Sequence, residues 1–123
     1  KSYQRVKNVL NENGKGIFQG KIFVKDIAQK TDAYQLSKAL LLTDNAEFNS
    51  KPELEIYADD VKCGHGSTTG ALDKDSMFYL RARGIDKINA NNMLIQAFAQ
   101  EVLDEFVHIT NFSEQQLNDW INE

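Results

Sequence analysis

Cys63 and His65 are the side chains whose types and spacing best suit metal or cluster chemistry. One residue separates them, so in a β-strand they emerge on the same face, about 7 Å apart along the chain. Both side chains can then reach one metal ion or one reacting group. The alternative is purely structural, because a lone cysteine is often a small buried hydrophobe and an interior histidine is often simply hydrogen-bonded.

Neighbouring residues do not indicate a catalytic centre. The segment 64–70 (GHGSTTG) lacks the strand, Gly-Lys-Ser/Thr and helix context of a phosphate-binding loop, and we interpret it as a tight turn between strands. Ser67 lacks the Gly-x-Ser-x-Gly frame of a nucleophile elbow. Asp59 and Asp60 are adjacent, so in a strand they point to opposite faces and cannot act as one acid/base pair. The sequence therefore predicts a protein that is not an enzyme.

Length and composition are those of a single soluble domain. The chain has 123 residues, of which 41% are apolar and 26% are charged. Residues 73–123 carry four basic and nine acidic side chains, a balance that argues against nucleic acid as a partner. No apolar run reaches the length of a membrane span, and a single cysteine suits a reducing, cytoplasmic location. Because the chain starts at Lys1 without a methionine, we expect a piece of a longer protein.

Residues 1–72 are predicted to form a β domain. Apolar alternation and β-branched residues indicate at least four strands, near residues 17–24, 40–42, 54–56 and 61–65. Turn-forming residues precede the first strand at 13–14 and separate the others at 44–45, 49–52 and 59–60. Residues 26–38 are compatible with a loop or a short helix. The spacing suits a sandwich, a barrel or a stacked β-solenoid.

Residues 73–123 are predicted to be helical, because the apolar period changes to about 3.6 after Leu72. A helix over 74–83 would be capped by Asp73 and ended by Gly84. A longer helix would follow Asp86. Its apolar face would comprise Ile88, Ile95, Phe98, Ala99, Val102 and Phe106. A third helix would begin at a capping box formed by Ser113 and Gln116 and would bury Leu117, Trp120 and Ile121.

Two segments, residues 52–70 (PELEIYADDVKCGHGSTTG) and residues 77–85 (MFYLRARGI), resemble the SufB/SufD family of iron-sulfur cluster assembly proteins. The tetrapeptide Cys63 to Gly66 is similar to the SufD pattern, and the upstream cysteine of SufB-like chains is absent near Ser37. The resemblance implies a mainly β fold with carboxyl-terminal α structure. Residues 1–72 would be the last rungs of a right-handed parallel β-helix, and residues 73–123 about three helices.

The same resemblance implies a scaffold subunit of a SUF complex. Such a chain would pair with a SufB-like subunit, with Cys63 and His65 near the shared interface. It would dock a SufC-like ATPase through its helical region. The predicted docking residues are Met77, Phe78, Arg81, Arg83, Phe98, Val102 and Phe106.

An iron-sulfur cluster is the implied cofactor, transient and shared with the partner. Clusters are held by several thiolates with an occasional histidine, so Cys63 and His65 are an incomplete metal-ligand set without a partner. Flavin binding stays open. A fragment of a β-helix would also expose a strand with unpaired backbone groups. Such a strand tends to pair with another chain, so a homodimer of the fragment is predicted. The alternatives are a purely structural β-helix partner and a β-solenoid carbohydrate-active enzyme, which would need carboxylates that the spacing does not provide.

Overall fold

A computed structural model of the chain describes residues 1–106 and, beyond them, residues 116, 119 and 121. Within this part, five strands precede two helices. They are β1 (Ser2–Leu10), β2 (Lys15–Val24), β3 (Asp32–Leu41), β4 (Glu47–Ile56), β5 (Lys62–Ala71), α1 (Lys74–Ala82) and α2 (Lys87–Phe106). The chain divides into two compact units, Lys1–Ala71 and Leu72–Glu123. None of the described helices is long and apolar enough to cross a membrane.

The strands form two parallel sheets and alternate between them along the chain. Sheet A has the order β1-β3-β5, and sheet B consists of β2 and β4. Lys15 pairs with Glu47 and Asp32 pairs with Lys62, so paired residues lie 32 and 30 positions apart in sequence. A mainly β fold with helices after it is therefore confirmed. The narrower prediction of a right-handed β-helix stays a prediction.

The core of the first unit lies between the facing sides of the two sheets. On β3, the residues at alternate positions are buried, as a strand period of two requires. These interior residues are Ala33, Gln35, Ser37 and Ala39, each 5% exposed or less. Gly20 of β2 lies against the side chain of Gln35, so the interior face of sheet A meets sheet B at this point. On β2, Val24 is buried while Ile17 and Phe23 on the other face are exposed.

Three predictions about the strands are wrong. Residues 26–38 are neither a simple loop nor a helix, because β3 begins at Asp32. The turn predicted at 49–52 lies within β4, where Pro52 is tolerated because β4 pairs with β2 alone among the described strands. The turn predicted at 64–70 lies within β5, since pairing with β3 outweighs the local turn preference of glycine and hydroxyl residues.

The first two helices are confirmed, including the start of each and the end of the first. Asp73 Oδ2 accepts a hydrogen bond from the Ser76 backbone nitrogen at 2.7 Å, and Gly84 has the left-handed φ of 85° that ends α1. Asp86 Oδ1 accepts from the backbone nitrogens of Ile88 and Asn89 at 3.0 Å. Hydrogen bonds from the Ser76 side chain and backbone lower the pKa of Asp73. Both caps therefore stabilise the first turn of their helix.

The apolar face of α2 is confirmed in part. Ile95 is buried, whereas Ile88, which the periodicity predicts to lie on the same apolar face, is 72% exposed. Ile88 lies in the first turn, where no preceding turn flanks it, and Ala90 is the buried residue near this end. The predicted face continues with Phe98, Ala99 and Val102, which are half-buried. The side chain of Phe106 lies outside the described residues, as do most residues of the third predicted helix, Leu117 and Trp120 included.

Candidate functional site

Cys63 and His65 lie on β5 at the edge of sheet A, and their side chains share one face as predicted. Cys63 is in register with Ala33, and His65 is in register with Gln35. Since Ala33 and Gln35 are buried, the two candidate ligands extend the interior face of sheet A onto its last described strand. The pairing of β5 with β3 therefore places a thiol and an imidazole beside buried residues of β3.

The interior face is closed at β3 and open at β5. Gln35 and Ser37 are 2% and 1% exposed, whereas their register partners His65 and Ser67 are exposed, and Cys63 is half-buried. At the carboxyl end of the two-stranded sheet B, exposure also increases from β2 to β4. There Val24 is 3% exposed and its register partner Ile56 is 36% exposed. At these positions the described residues therefore cover the interior faces of β4 and β5 less than those of β2 and β3.

The glycines on either side of His65 have a steric role. A Cβ at Gly66 would lie 2.7 Å from the Tyr34 hydroxyl, and one at Gly64 would lie 3.4 Å from the Tyr34 ring. The Tyr34 ring therefore lies against the outer side of β5, opposite to the side that carries His65. Two missing side chains allow this close contact, and this explains a glycine-rich segment that the sequence suggested was a turn.

A shallow cavity of about 380 Å³, wide open to solvent, adjoins Cys63. It is lined by Tyr3, Asp32, Ala33, Tyr34, Lys62, Cys63 and Gly64. The Tyr3 hydroxyl donates a hydrogen bond to Asp32 Oδ2 at 3.0 Å, and this bond raises the pKa of Tyr3. The cavity thus combines aromatic, acidic and basic groups next to the thiol.

Cys63 and His65 are two candidate ligands on β5 and do not by themselves complete a metal site. Among the described residues, no group of three or more His, Cys, Asp or Glu side chains is placed to hold a metal ion. Sequence reasoning missed Gln35, the buried amide in register with His65. Its only signal was the alternation of small and polar residues from Ala33 to Ala39, which does not resemble an apolar strand.

The predicted docking residues differ in how far their side chains are exposed to solvent. Phe78 is 74% exposed, and Arg81 and Arg83 are exposed, with the Arg83 guanidinium 3.5 Å from the centre of the Tyr79 ring. The remaining described members, Met77, Phe98 and Val102, are half-buried. The surface available on α1 is therefore aromatic and cationic.

Comparison with known proteins defines the class to which this fold and site belong. The sequence profile of the SUF system FeS cluster assembly family, SufBD core domain, matches residues 1–98. A SufBD family protein of Synechocystis is 46% identical over 99 residues, covering 80% of this chain and 22% of that protein. SufD of Escherichia coli is 46% identical over 103 residues, covering 84% of this chain and 24% of SufD. The chloroplastic protein ABCI7 of Arabidopsis thaliana is 45% identical over 98 residues, covering 80% and 21%.

The chain belongs to the SufB/SufD family of iron-sulfur cluster assembly proteins and is SufD-like. It spans less than a quarter of the length of these curated relatives. The resemblance drawn from residues 52–70 and 77–85 is therefore confirmed.

Proposed function

We propose that this chain is part of a non-catalytic scaffold subunit that takes part in iron-sulfur cluster assembly. The observation that carries the proposal is the open interior row of β5, where Cys63 and His65 lie on one face of an edge strand. Family membership supports the same role, because relatives at 46% identity are named as iron-sulfur cluster assembly proteins. The cluster is the cargo of the complex and is held only while it is built.

A second subunit is needed because the ligand set is incomplete. Iron-sulfur clusters are held by several thiolates, with histidine as an occasional replacement, and β5 offers one of each. An edge strand also presents unpaired backbone groups that another strand can pair with. We therefore expect a SufB-like subunit to cover the open row and to supply the remaining ligands. Parallel strands that alternate between two sheets and pair 30 to 32 residues apart support a β-helix for this pairing.

The helical region is the proposed dock for a SufC-like ATPase. Phe78 is exposed on α1, and Arg81 and Arg83 add positive charge at the end of the same helix. An exposed aromatic side chain beside arginines is the composition that interface centres favour. Movement of the docked ATPases would open and close the interface that contains Cys63.

Co-purification of the full-length protein with SufB-like and SufC-like chains tests both contacts. A variant that ends at Ala71 should retain the SufB-like subunit and lose the ATPase. Phe78→Ala should weaken ATPase capture, while Ile88→Ala, at a comparably exposed apolar residue outside the predicted dock, should not. Retention of the ATPase by the truncated variant would contradict the docking assignment. Loss of the SufB-like subunit from the same variant, with the strands intact, would contradict the edge pairing.

A purely structural role is favoured by one observation, the partial burial of Cys63. A core thiol is inert, whereas a thiol at an opening interface reacts when the partner is absent. We expect a thiol reagent to modify Cys63 in the full-length protein alone and to react much more slowly in the complex. An inert Cys63 in both states would favour the structural role. Slow reaction without a SufB-like chain, together with a dimeric mass, would indicate the homodimer.

A further inference from the structure

A row of three polar side chains runs across the interior of sheet A. Gln4 of β1 is in register with Gln35 of β3, and Gln35 is in register with His65 of β5. Side chains in register on one face of a parallel sheet lie one above another, about 4.8 Å apart. Gln35 is the central member of this row, and only this member is buried, with 2% of its surface exposed.

The amide of Gln35 is held in place by Gln4 and by Gly20, but its oxygen lacks a hydrogen bond from the described residues. Its Nε2 donates a hydrogen bond to Gln4 Oε1 at 2.7 Å. Its Cδ lies 2.7 Å from the Cβ position of Gly20, so a larger residue there would collide with the amide. Its Oε1 is buried and has no hydrogen-bond partner among the described residues. A buried acceptor without a donor costs roughly 1–3 kcal/mol, so its presence calls for a donor.

The direction of the amide indicates which donor this is. The nitrogen and oxygen of an amide diverge from Cδ, so an amide whose nitrogen faces Gln4 on β1 turns its oxygen away from β1. The strand on that side is β5, and the residue in register there is His65. A neutral imidazole has one N–H donor and one bare nitrogen, so His65 has the type of donor that the amide oxygen lacks. His65 is exposed, so the described residues do not enclose its side chain.

We propose that Gln35 is a positioning residue for His65: its Oε1 accepts a hydrogen bond from one ring nitrogen and leaves the other nitrogen bare and directed to the open row. A histidine that binds metal is usually oriented in this way, because the hydrogen bond of one ring nitrogen fixes the tautomer and the direction of the other. The inference rests on the proposed function for its purpose, but the hydrogen bond itself can be tested without any cluster.

The test is nuclear magnetic resonance of the full-length protein with labelled histidine and glutamine, at a pH at which the His65 ring is neutral. His65→Ala assigns the signals of His65. In the wild type we expect a single tautomer and a cross-peak between the ring N–H proton and the Gln35 side-chain amide. A mixture of tautomers without the cross-peak would overturn the proposal, and this measurement needs no variant of Gln35.

Two variants separate positioning from general packing. Gln35→Met has nearly the same shape and replaces the amide oxygen with a thioether, which is only a weak acceptor, so His65 should change from one tautomer to a mixture. Ser37→Ala removes another buried polar group on the same face of β3, one that has no hydrogen-bond partner in the described part of the chain, but Ser37 is in register with Ser67. This control should leave the His65 tautomer unchanged. An unaltered single tautomer in Gln35→Met would overturn the proposal.

Cluster assembly by the complete complex gives the functional readout. Gln35→Met should slow assembly on the order of tenfold, the usual cost of removing a group that orients a metal-binding histidine. Normal assembly in His65→Ala would contradict the proposed function, but it would not bear on the hydrogen bond, which the resonance measurement on the wild type tests. Normal assembly in Gln35→Met, together with impaired assembly in His65→Ala, would overturn the positioning role alone.

Discussion

Polar residues are accommodated differently on the outer face of sheet B and on the interior face of sheet A. On sheet B, Lys21 Nζ lies 2.8 Å from Glu55 and 3.8 Å from Glu53, at the surface. On sheet A, Gln35 and Ser37 are buried, and each has an atom without a hydrogen-bond partner among the described residues. Exposed ion pairs add little to stability, whereas buried polar atoms without partners reduce it.

Of these two sets of polar residues, the buried set in sheet A is the one that needs a functional explanation. Solubility and modest pairing energy account for the charged residues of sheet B. They do not account for a buried amide and a buried hydroxyl in a sheet that apolar residues would stabilise better. The buried amide, that of Gln35, is in register with His65 on the open edge strand. The polar core of sheet A and the candidate site are therefore parts of one feature. Four variants test the comparison.

The largest effect is expected from Gly20→Ala. The new Cβ would meet the Gln35 amide, whose Cδ lies 2.7 Å away and which is enclosed and hydrogen-bonded to Gln4. We expect a loss of about 1–3 kcal/mol in the free energy of unfolding, measured with urea. Gly70→Ala is the matched control, since nothing lies within 4 Å of its Cβ position. Equal stability of the two variants would mean that the amide is not held against β2.

The next largest effect is expected from Gly66→Ala, which should cost about 1 kcal/mol because its Cβ would lie 2.7 Å from the Tyr34 hydroxyl. The cost is smaller than at Gly20 because Tyr34 is 41% exposed and its ring can move outward. Tyr34→Phe removes the hydroxyl and should relieve most of the loss in a double-mutant cycle. Full cost in the Tyr34→Phe background would show that the ring does not lie against β5 in this way.

A gain in stability is expected from Ser37→Ala. The hydroxyl is 1% exposed and without a partner among the described residues, so its removal should raise the free energy of unfolding by about 1 kcal/mol. Ser67→Ala, in register but exposed, should change it by less than about 0.5 kcal/mol. A clear loss in Ser37→Ala would mean that the sheet A interior satisfies this hydroxyl, and the contrast with sheet B would weaken.

The smallest effect is expected from Lys21→Met on sheet B. The hydrogen bond from Lys21 is the main cause that lowers the pKa of Glu55, and the same bond raises the pKa of Lys21. A carboxyl whose pKa is lower in the folded state stabilises the fold at pH values above its pKa in the unfolded state. This contribution disappears as the pH falls through the folded-state pKa. A lysine whose pKa is higher in the folded state stabilises the fold at pH values below its pKa in the unfolded state. This contribution disappears as the pH rises through the folded-state pKa.

The melting temperatures of wild type and Lys21→Met should therefore differ slightly at neutral pH and converge in acid. Added salt should also reduce the difference, because both groups are at the surface. A large, salt-independent difference would show that the pair on sheet B contributes as much as a buried one.

Much of the fold follows from local patterns. Alternation predicts β2, and the side chains of Asp73 and Asp86 predict the starts of α1 and α2. The spacing of Cys63 and His65 is enough to place them on one face of a strand. These features depend on residues within a few positions of one another, so the sequence carries them directly.

The remaining features depend on contacts between distant residues. β1 and β3 carry polar side chains on their interior faces, such as Gln4 and Gln35, so their sequences do not resemble buried strands. Gly64 and Gly66 favour a turn locally, but a register with residues 30 positions earlier makes them part of β5. Gln35 could not be recognised as a neighbour of His65 for the same reason, because only the register joins them.

The central claim is that the open polar row of sheet A serves cluster assembly through His65. Its most direct test is the rate of cluster formation by the complete complex that contains full-length His65→Ala, compared with Ser67→Ala from the same face of β5. We predict that His65→Ala lowers the rate by at least about tenfold with normal subunit assembly, while Ser67→Ala matches the wild type. A wild-type rate in His65→Ala would contradict the account and leave the row a structural feature only.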